Sequence, residues 1–405
     1  MSVYVKETAD RCLHCKVPMC RKGCPVQTNI PEVIELFKNN KLNEAGKMLF
    51  ENNPMSLVCS IVCDHDKQCR GGCVLGKKSV PVNFSMIEQF ISDAYFDSMV
   101  IEKKPSKGRK VAVVGGGPAG ITVAFKLITE GYDVTIFEGR DDIGGILRYG
   151  IPDFRLPRSI CDRYAKKLTE TGVKIRPNTT IGGALEIQNL FRDGYAAVFV
   201  GTGVWRSKTL GVKGECLPNV HYSMDYLQNP NGYKLGDKVA IIGMGNAAMD
   251  VARVALRHGS RQVQLFARSR RVTASSHEVE YAKLEGAEMF FGKEICEINE
   301  KGPLFKTAIL DENNKVVGYE PELDQVEADS TIVSISNGPK NKLILTTPGL
   351  QANEKGLLIT DENCMTTVPG VFAAGDVVQG ANTVVHAVEE AKRAADGIMK
   401  YLENN

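Results

Sequence analysis

The cysteines are the feature that most restricts what this chain can fold into. Eight of the 12 cysteines lie in the first 73 residues, in two groups of four: Cys12, Cys15, Cys20, Cys24 and then Cys59, Cys63, Cys69, Cys73. The first group reads C-x2-C-x4-C-x3-C-P, which differs by two inserted residues from the ferredoxin pattern whose fourth cysteine ligates the other of two clusters. The spacing therefore predicts two [4Fe-4S] clusters that share one small domain.

Two other uses of these cysteines compete with iron-sulfur clusters. A disulfide framework needs an oxidising compartment, and residues 1–11 contain no apolar segment that directs export, so we expect a cytoplasmic protein. Structural zinc sites more often use paired C-x2-C or Cys/His motifs, and the second group, C-x3-C-x5-C-x3-C, fits neither. We expect reduced core thiols at the four scattered cysteines, which are Cys161, Cys216, Cys296 and Cys364.

The composition excludes several classes of function. The chain has 405 residues, of which 43% are hydrophobic and 24% charged, with a formal net charge of +2. This length is typical of two or three domains, and the near-neutral charge offers no electrostatic footprint for nucleic acid. No stretch approaches the roughly 18 apolar residues that a membrane span needs. We therefore expect a protein that neither binds nucleic acid nor inserts into a membrane.

The region around the two cysteine groups is predicted to be helical. Residues 30–51 and 84–99 carry apolar side chains at helical spacing. Residues 102–110 (EKKPSKGRK) are charged and contain Pro and Gly, as linkers do. We predict a helical iron-sulfur domain over residues 1–104, held together as much by metal as by an apolar core.

A dinucleotide-binding pattern follows this linker. Residues 110–120 (KVAVVGGGPAG) run from an apolar β-branched stretch into G-x-G-x-x-G, and a helix is predicted through residue 130. A second strand, residues 133–137, ends in an acid, which accepts the ribose hydroxyls in such folds. Every element of the fingerprint is present in order. The predicted cofactor-binding residues here are Gly115, Gly117, Pro118, Ala119, Gly120, Glu138 and Gly145.

The same pattern recurs at residues 238–250 (KVAIIGMGNAAMD). Its second strand, residues 262–266, runs into three arginines instead of an acid. Because arginine binds a 2′-phosphate well, we predict NADPH over NADH; the alternative is that the arginines form a solvated face. The predicted nucleotide-binding residues are Gly243, Gly245, Asn246, Ala247, Ala248, Arg268, Arg270 and Arg271.

Two such folds in one chain favour a flavoprotein reductase in which FAD and a nicotinamide nucleotide bind separate domains. Residues 369–376 (PGVFAAGD) predict a strand that ends in Gly-Asp, and residues 382–384 open a helix whose dipole favours negative charge on a reduced flavin. The predicted flavin contacts in this part are Gly375, Asp376, Asn382, Thr383 and Val384.

The predicted fold class is α/β, with two Rossmann-like dinucleotide-binding domains, one for FAD and one for NADPH, preceded by an α-helical double [4Fe-4S] domain. We expect the FAD domain to be split in sequence, over residues 105–235 and 335–405. The NAD(P)H domain is then inserted at residues 236–334.

Five motifs carry a resemblance to a known family. They lie at residues 11–26 (RCLHCKVPMCRKGCPV), 59–73 (CSIVCDHDKQCRGGC), 149–157 (YGIPDFRLP), 243–259 and 370–385. On these motifs, and over essentially its whole length, the chain resembles the small (beta) subunit of bacterial NADPH-dependent glutamate synthase. The resemblance extends to the flavin subunit of dihydropyrimidine dehydrogenase and to the large subunit of electron-bifurcating NAD(P) transhydrogenase, which share the same motifs.

The resemblance implies an interleaved set of cluster ligands. They are Cys12, Cys15, Cys20 and Cys73 on one cluster and Cys24, Cys63 and Cys69 on the second. Family members complete the second cluster with a Gln or Glu on a helix 16 residues after the last cysteine, and that position is Gln89 here. Cys59 is then left over as a buried thiol, or substitutes for Gln89. The resemblance also implies that Arg155 contacts the flavin.

The implied function is electron input. NADPH reduces FAD, and electrons then pass singly through the two clusters to a partner subunit that holds the substrate site, so no acid/base catalyst is expected. A disulfide reductase of the same fold is an alternative, but it needs a redox C-x2-C or a C-x4-C after Gly144-Gly145, and neither occurs. A scaffold with vestigial folds does not fit intact motifs at both cofactor sites.

Two loops depart from the family pattern. Residues 334–336 read Ser-Ile-Ser where the family usually has A-I-G, and residues 273–275 read Thr-Ala-Ser where Met-Pro-Ala is common. Both departures fall on the nicotinamide side of the predicted site.

Overall fold

The computed structural model describes residues 3–312 and 316–405, which form two compact units. The first unit contains residues 1–148, 153–204 and 339–405, and the second contains residues 149–152 and 205–338. Within the part of the chain that is described, no helix is long and apolar enough to cross a membrane.

The N-terminal part of the first unit is helical. The apolar pattern over residues 30–51 forms two helices, because the chain turns at Asn40, whose φ of 58° lies in the left-handed region that asparagine tolerates. The helices are α1 (Val3–Asp10), α2 (Met19–Lys22), α3 (Ile30–Lys38), α4 (Leu42–Asn52), α5 (Ser56–Val62) and α6 (Phe84–Ser98). Their apolar faces form a common core, to which α3 contributes Ile30, Val33, Ile34 and Phe37.

A parallel sheet with flanking helices follows in the same unit. Its central strand pairs on both sides with parallel neighbours and is almost entirely apolar and buried, as expected for a strand that helices cover on both faces. The elements are β1 (Lys110–Val114), α7 (Pro118–Thr129), β2 (Asp133–Phe137), α8 (Ile146–Tyr149), α9 (Arg158–Thr171), β3 (Lys174–Arg176), α10 (Ile187–Arg192) and β4 (Tyr195–Val200).

The second unit contains a second parallel sheet and a small antiparallel one. Its elements are β5 (Arg206–Ser207), β6 (Val220–Tyr222), α11 (Ser223–Gln228), β7 (Lys238–Ile242), α12 (Asn246–Arg257), β8 (Gln262–Ala267), α13 (Ser276–Leu284), β9 (Glu288–Phe291), β10 (Lys293–Asn299), β11 (Gly302–Leu310), β12 (Val316–Gln325), β13 (Ser330–Val333) and β14 (Asn337–Gly338). The parallel sheet has the order β6-β13-β7-β8-β9, and the antiparallel sheet has the order β10-β11-β12.

This unit is larger than the stretch 236–334 that we expected from the sequence. It begins at residue 205, because β6 pairs with β13 and so belongs to the second sheet. It extends to residue 338, because β14 pairs with β5. Strand pairing sets both boundaries, and neither pairing is marked by a motif.

Residues 339–405 return the chain to the first unit. Here β15 pairs in parallel with β4, which gives the first sheet the order β15-β4-β1-β2-β3. The elements of this stretch are α14 (Lys342–Thr346), β15 (Val371–Ala373), α15 (Asp376–Gln379) and α16 (Val384–Asn404). The predicted fold class, two Rossmann-like sheets preceded by a helical domain, is confirmed.

Aromatic side chains hold the helical N-terminal domain against the helices of the first sheet. Phe50 meets Phe125 of α7 edge-on, with 5.3 Å between ring centroids, and Phe96 of α6 lies 4.5 Å from Tyr164 of α9. The Tyr164 hydroxyl donates a hydrogen bond of 2.9 Å to the Pro54 carbonyl. The cysteine-bearing domain therefore packs directly against the helices that flank the first sheet.

A buried ion pair joins two helices of the second unit. Arg253 of α12 contacts Glu278 of α13 at 3.0 Å, and both side chains are less than a tenth exposed. Replacing Arg253 by Met takes the cation away from the buried Glu278 carboxylate, and we expect a loss of about 3–5 kcal/mol in the free energy of unfolding. Arg257, which contacts Glu285 from an exposed position, is the control, with an expected loss below about 1 kcal/mol on replacement by Met. Denaturant titration of both variants measures the two losses. Equal losses would contradict the larger contribution assigned to the buried pair.

Candidate functional site

Two glycine contacts bring the cysteine groups together. A Cβ atom at Gly72 would lie 2.6 Å from the carbonyl oxygen of Met19, and one at Gly23 would lie 2.6 Å from the carbonyl oxygen of Gln68. Side chains do not approach backbone so closely, so only glycine lets these two segments pack. The two cysteine groups, distant in sequence, are thereby joined by backbone contact.

Two adjacent cavities lie between these segments. The first is lined by cysteines from both groups, with apolar side chains between them. Its four partly exposed cysteines are Cys12, Cys15, Cys20 and Cys73. Burial raises the pKa of the Cys20 thiol to about 11, and the backbone N–H of Val82 donates to Cys73 Sγ at 3.5 Å.

The second cavity is lined by four thiols, one carboxyl group and Val385 of α16. Its thiols belong to Cys24, Cys59, Cys63 and Cys69, and Cys69 also borders the first cavity. The hydrogen bond with Cys59, together with burial, raises the pKa of Cys63 well above its usual value. The cavities group the cysteines in the two sets that the resemblance implies, except that Cys69 borders both cavities and Cys59 joins the second.

This donor set fits an iron-sulfur cofactor better than zinc. Among residues 3–312 and 316–405, no three His, Cys, Asp or Glu side chains converge as the ligands of a single metal ion do. The thiols surround cavities instead, as the ligands of a four-iron cluster must, because its irons occupy separate corners. Burial favours the protonated thiols, and a nearby cationic metal reverses that preference.

One predicted ligand lies outside the second cavity. Gln89 is exposed on α6 and does not line the second cavity. Glu88, one position earlier, is 6% exposed and lines it, and burial followed by the nearby Cys59 raises the pKa of its carboxyl group. One residue along a helix rotates the side chain by about 100°, so the neighbour of an inward residue points away. Glu88 follows Phe84 by four positions on the buried face, and this periodicity was the signal available in the sequence.

The first glycine loop joins β1 to α7 at the carboxyl edge of the first sheet. Gly115 has a φ of 102°, and a Cβ at Gly120 would lie 1.9 Å from the Gly115 carbonyl oxygen, so the turn excludes side chains. Gly117 precedes α7, and the unfilled N–H groups of that first turn suit a phosphate. Glu138 Oε2 accepts a hydrogen bond of 2.8 Å from the Gly116 N–H, which fixes the predicted ribose-binding acid beside the loop.

The carboxyl end of β15 lies against the same loop. A Cβ at Gly375 would be 3.3 Å from Ala119 Cβ, so two cofactor motifs that are distant in sequence meet at one edge of the sheet. Burial raises the pKa of Asp376 to about 7. Asp376 Oδ1 accepts a hydrogen bond of 3.2 Å from the Asn382 N–H, which brings the start of α16 to the same place. The other predicted residues of this edge are Pro118, Gly145, Thr383 and Val384.

Sequence reasoning missed one buried acid at this edge. Glu390 of α16 is 4% exposed, and its Oε2 accepts a hydrogen bond of 2.7 Å from the Gly375 N–H. The contact holds the turn that carries Asp376. No motif marks Glu390, although a glutamate on the apolar face of a helix indicates a buried acid that needs a partner. Arg155, the remaining predicted flavin contact, lies half-buried in the loop before α9.

The second glycine loop has the same construction. A Cβ at Gly243, whose φ is 138°, would lie 2.1 Å from the Ser334 carbonyl oxygen. Asn246 Oδ1 accepts a hydrogen bond of 2.9 Å from the Ser275 N–H, and the Thr273 N–H donates to the Met244 carbonyl at 3.1 Å. The unusual Thr-Ala-Ser loop is therefore tied to the glycine loop. The predicted residues Gly245, Ala247 and Ala248 lie at the start of α12 beside it.

Three arginines follow β8 at the same edge of the second sheet. Arg268, Arg270 and Arg271 are all exposed, and no carboxylate of the described residues forms an ion pair with any of them. Free guanidinium groups beside a dinucleotide loop suit a phosphate group. Ser336 has a φ of 96°, a conformation that favours glycine, at the position where the family pattern has glycine.

Comparison with known proteins agrees with this geometry. The family description "Pyridine nucleotide-disulphide oxidoreductase" matches residues 83–186 and 109–391, and the description "Dihydropyrimidine dehydrogenase domain II, 4Fe-4S cluster" matches residues 2–100. The small chain of glutamate synthase [NADPH] from Azospirillum brasilense is 32% identical over 98% of this chain and 89% of its own length. The NAD-dependent dihydropyrimidine dehydrogenase subunit PreT from Salmonella typhimurium is 33% identical over 98% of this chain and 94% of its own.

The fold is also similar to that of a solved structure. The structure of Mycobacterium tuberculosis FprA in complex with NADPH has a TM-score of 0.62 and 19% identity, and the match covers 74% of this chain and 85% of that one. Fold and site together define an NAD(P)H-dependent flavoprotein oxidoreductase with an iron-sulfur electron-transfer domain. The chain belongs to the pyridine nucleotide-disulphide oxidoreductases, in the family of the glutamate synthase small chain. The resemblance found in the motifs is confirmed.

The position of Glu88 predicts its effect on the second cluster. Because Glu88 is the only carboxylate that lines the second cavity within the described residues, we expect Glu88→Ala to lose about one cluster's iron on anaerobic purification. Iron and acid-labile sulfide analysis, with low-temperature EPR, measures the loss.

The neighbouring residue supplies the matched control. Gln89→Ala should keep the iron content of the parent, because Gln89 is exposed. Full iron in Glu88→Ala combined with a loss in Cys59→Ala would instead make Cys59 the fourth ligand.

Proposed function

We propose that the chain is the electron-input subunit of a glutamate synthase-type complex, which oxidises NADPH and delivers electrons to a partner subunit through two [4Fe-4S] clusters. When bound, FAD takes an electron pair as hydride and a [4Fe-4S] cluster carries one electron at a time, so a flavin site must adjoin cluster sites. The family supports the cofactors, and the glycine loops and cysteine cavities supply places for them.

One observation carries the proposal. The two cavities lie in series between the surface and the edge of the first sheet that carries the predicted flavin contacts, which we call the flavin edge. Val385, in the first turn of α16, lines the second cavity, while the residues just before it belong to the predicted flavin contacts. The second cavity shares Ile30, Cys69 and Phe84 with the first. Leu13, which is 62% exposed, lines the first cavity. The thiols thus form a short, ordered series between α16 and solvent.

The mouth of the first cavity suits a protein partner. The exposed apolar side chains Leu13 and Met19 line it. Val17, between them in sequence, is exposed too, and so is Val80, whose carbonyl accepts a hydrogen bond from the guanidinium group of Arg11. Exposed basic side chains lie in the same segments, at Arg11, Lys16, Arg21, Lys22, Lys77 and Lys78. An apolar centre with a basic rim fits a partner surface that is apolar with an acidic rim, and that partner holds the electron acceptor.

The arginines after β8 support NADPH as the electron donor. Their guanidinium groups are exposed and near the second glycine loop, which is where the 2′-phosphate of NADP lies in such folds. The similarity to PreT favours a second candidate, the flavin subunit of an NAD-dependent dihydropyrimidine dehydrogenase. Identification of the chain that co-purifies with this one, together with its nucleotide preference, separates the two.

The cavity series predicts that flavin reduction and electron delivery can be uncoupled. Replacing Cys73 by Ala removes a predicted cluster ligand from the first cavity and leaves the glycine loops of the first sheet intact. We expect NADPH to reduce the flavin of this variant at a rate near that of the parent, while electron transfer to the co-purified partner falls at least tenfold.

Stopped-flow absorbance follows the first step, and turnover of the native complex follows the second. Cys216→Ala, at an exposed cysteine of the second unit, is the control and should retain both steps. Undiminished transfer in the Cys73→Ala complex contradicts the proposed route.

The nucleotide assignment rests on Arg268. Replacing Arg268 by Ala should weaken NADP⁺ binding by about 1–3 kcal/mol and leave NAD⁺ binding nearly unchanged, because only the 2′-phosphate contact is lost. Calorimetric titration with both nucleotides measures the change. Arg261, exposed at the other end of β8, is the control for loss of a surface charge. Faster flavin reduction by NADH than by NADPH in the parent protein rejects the assignment.

A further inference from the structure

A hydroxyl group reaches the sulfur of one predicted cluster ligand. Thr28 Oγ1 lies 3.4 Å from Cys24 Sγ in the turn between α2 and α3, and Thr28 is only 3% exposed. Thr28 therefore favours the thiolate form, which is the form that ligates metal.

Two further residues extend this contact to α16. Asn52 Nδ2 donates to Thr28 Oγ1 at 3.2 Å, and Lys392 Nζ donates to Asn52 Oδ1 at 3.1 Å. Lys392 also donates to the Asn52 carbonyl at 2.7 Å, at the C-terminal end of α4.

The chemistry of the three groups determines the direction of every hydrogen bond. An ammonium group only donates, so the Asn52 atom that faces Lys392 is the carbonyl oxygen, and the amide nitrogen faces Thr28. A ligating thiolate only accepts, so the Thr28 hydroxyl donates to Cys24. All donors therefore point toward the sulfur, and a positive charge stands at the far end.

We propose that Thr28, Asn52 and Lys392 form a relay of hydrogen bonds that raises the reduction potential of the cluster at the second cavity. The inference rests on the proposed function, in which Cys24 ligates that cluster. Reduction adds one negative charge to a cluster, and aligned donors on a ligand sulfur stabilise the added charge. Cys24 and Val385 of α16 both line the second cavity, so the relay sets the potential of the cluster nearest the flavin edge. These are positioning residues, since Cys24 would hold the cluster and the relay would act on it through the Cys24 sulfur.

A purely structural role is the competing explanation. Lys392 satisfies a carbonyl group at the end of α4, and a cation at a helix C-terminus is favourable in its own right. A helix cap affects folding and iron content, but it does not change the potential of one cluster while the other stays constant. The potential is therefore the measurement that separates the two roles.

The test is an EPR-monitored redox titration of the full-length protein, purified anaerobically with its cofactors. Thr28→Val removes the hydroxyl group and keeps the shape of the side chain, and Lys392→Met removes the charge. We expect both variants to retain iron and to show a more negative midpoint potential for one cluster only, with the larger shift in Thr28→Val. Thr28→Ser should restore the parent potential, and Lys400→Met, at an exposed lysine of α16, should leave both potentials unchanged.

The remaining outcomes also decide the matter. If Thr28→Val loses iron, Lys392→Met alone decides by the same titration, because Lys392 does not line the cavity. Unchanged potentials with full iron content overturn the relay and leave Lys392 as a cap of α4. Equal shifts of both clusters overturn it too. A parent protein without iron overturns the proposed function instead, so the two failures are distinguishable.

Discussion

The packing of α16 against α7 and the cysteine-bearing domain is the interaction on which the rest of the site depends. Small side chains let α16 lie close to its neighbours: Ala387, Ala391, Ala394 and Ala395 are all buried. A Cβ at Gly397 would lie 2.1 Å from the Asn363 carbonyl oxygen. The successive turns of this one helix hold Val385 at the second cavity, Glu390 under the Gly375 turn and Lys392 at Asn52. A single rigid element thus relates the flavin edge to the nearer cysteine cavity.

Burial of the cysteines connects folding of the N-terminal domain to its cofactor. Desolvation raises the pKa values of Cys20, Cys24 and Cys69, which opposes formation of the thiolates that ligate metal. Metal binding reverses that preference, so its free energy contributes directly to the stability of the domain. The aromatic contacts of Phe96 with Tyr164 then transmit this stability to the first sheet, because both domains belong to one compact unit.

The motifs predicted the two parallel sheets, the glycine loops and the cysteine groups well, because each rests on local chemistry. A tight turn requires glycine at Gly115, and a metal requires thiols at close spacing. The α6 residue that lines the second cavity was predicted less well. Counting from the last cysteine selects Gln89, while the helical phase of α6 places Glu88 on the buried face. The domain boundary at residue 205 was not predicted from the sequence, because β6 pairs with a strand more than a hundred residues later.

The sequence by itself determined the kind of cofactors and the class of fold, because glycine turns, apolar strands and cysteine spacing are short-range properties of the chain. Only the tertiary structure decided which side chains share a cavity. Asn52 and Lys392 carry no motif and lie 340 positions apart, yet they hydrogen-bond beside Cys24. Such contacts depend on where helices pack, and packing is set by the summed burial of many apolar side chains, which no local pattern encodes.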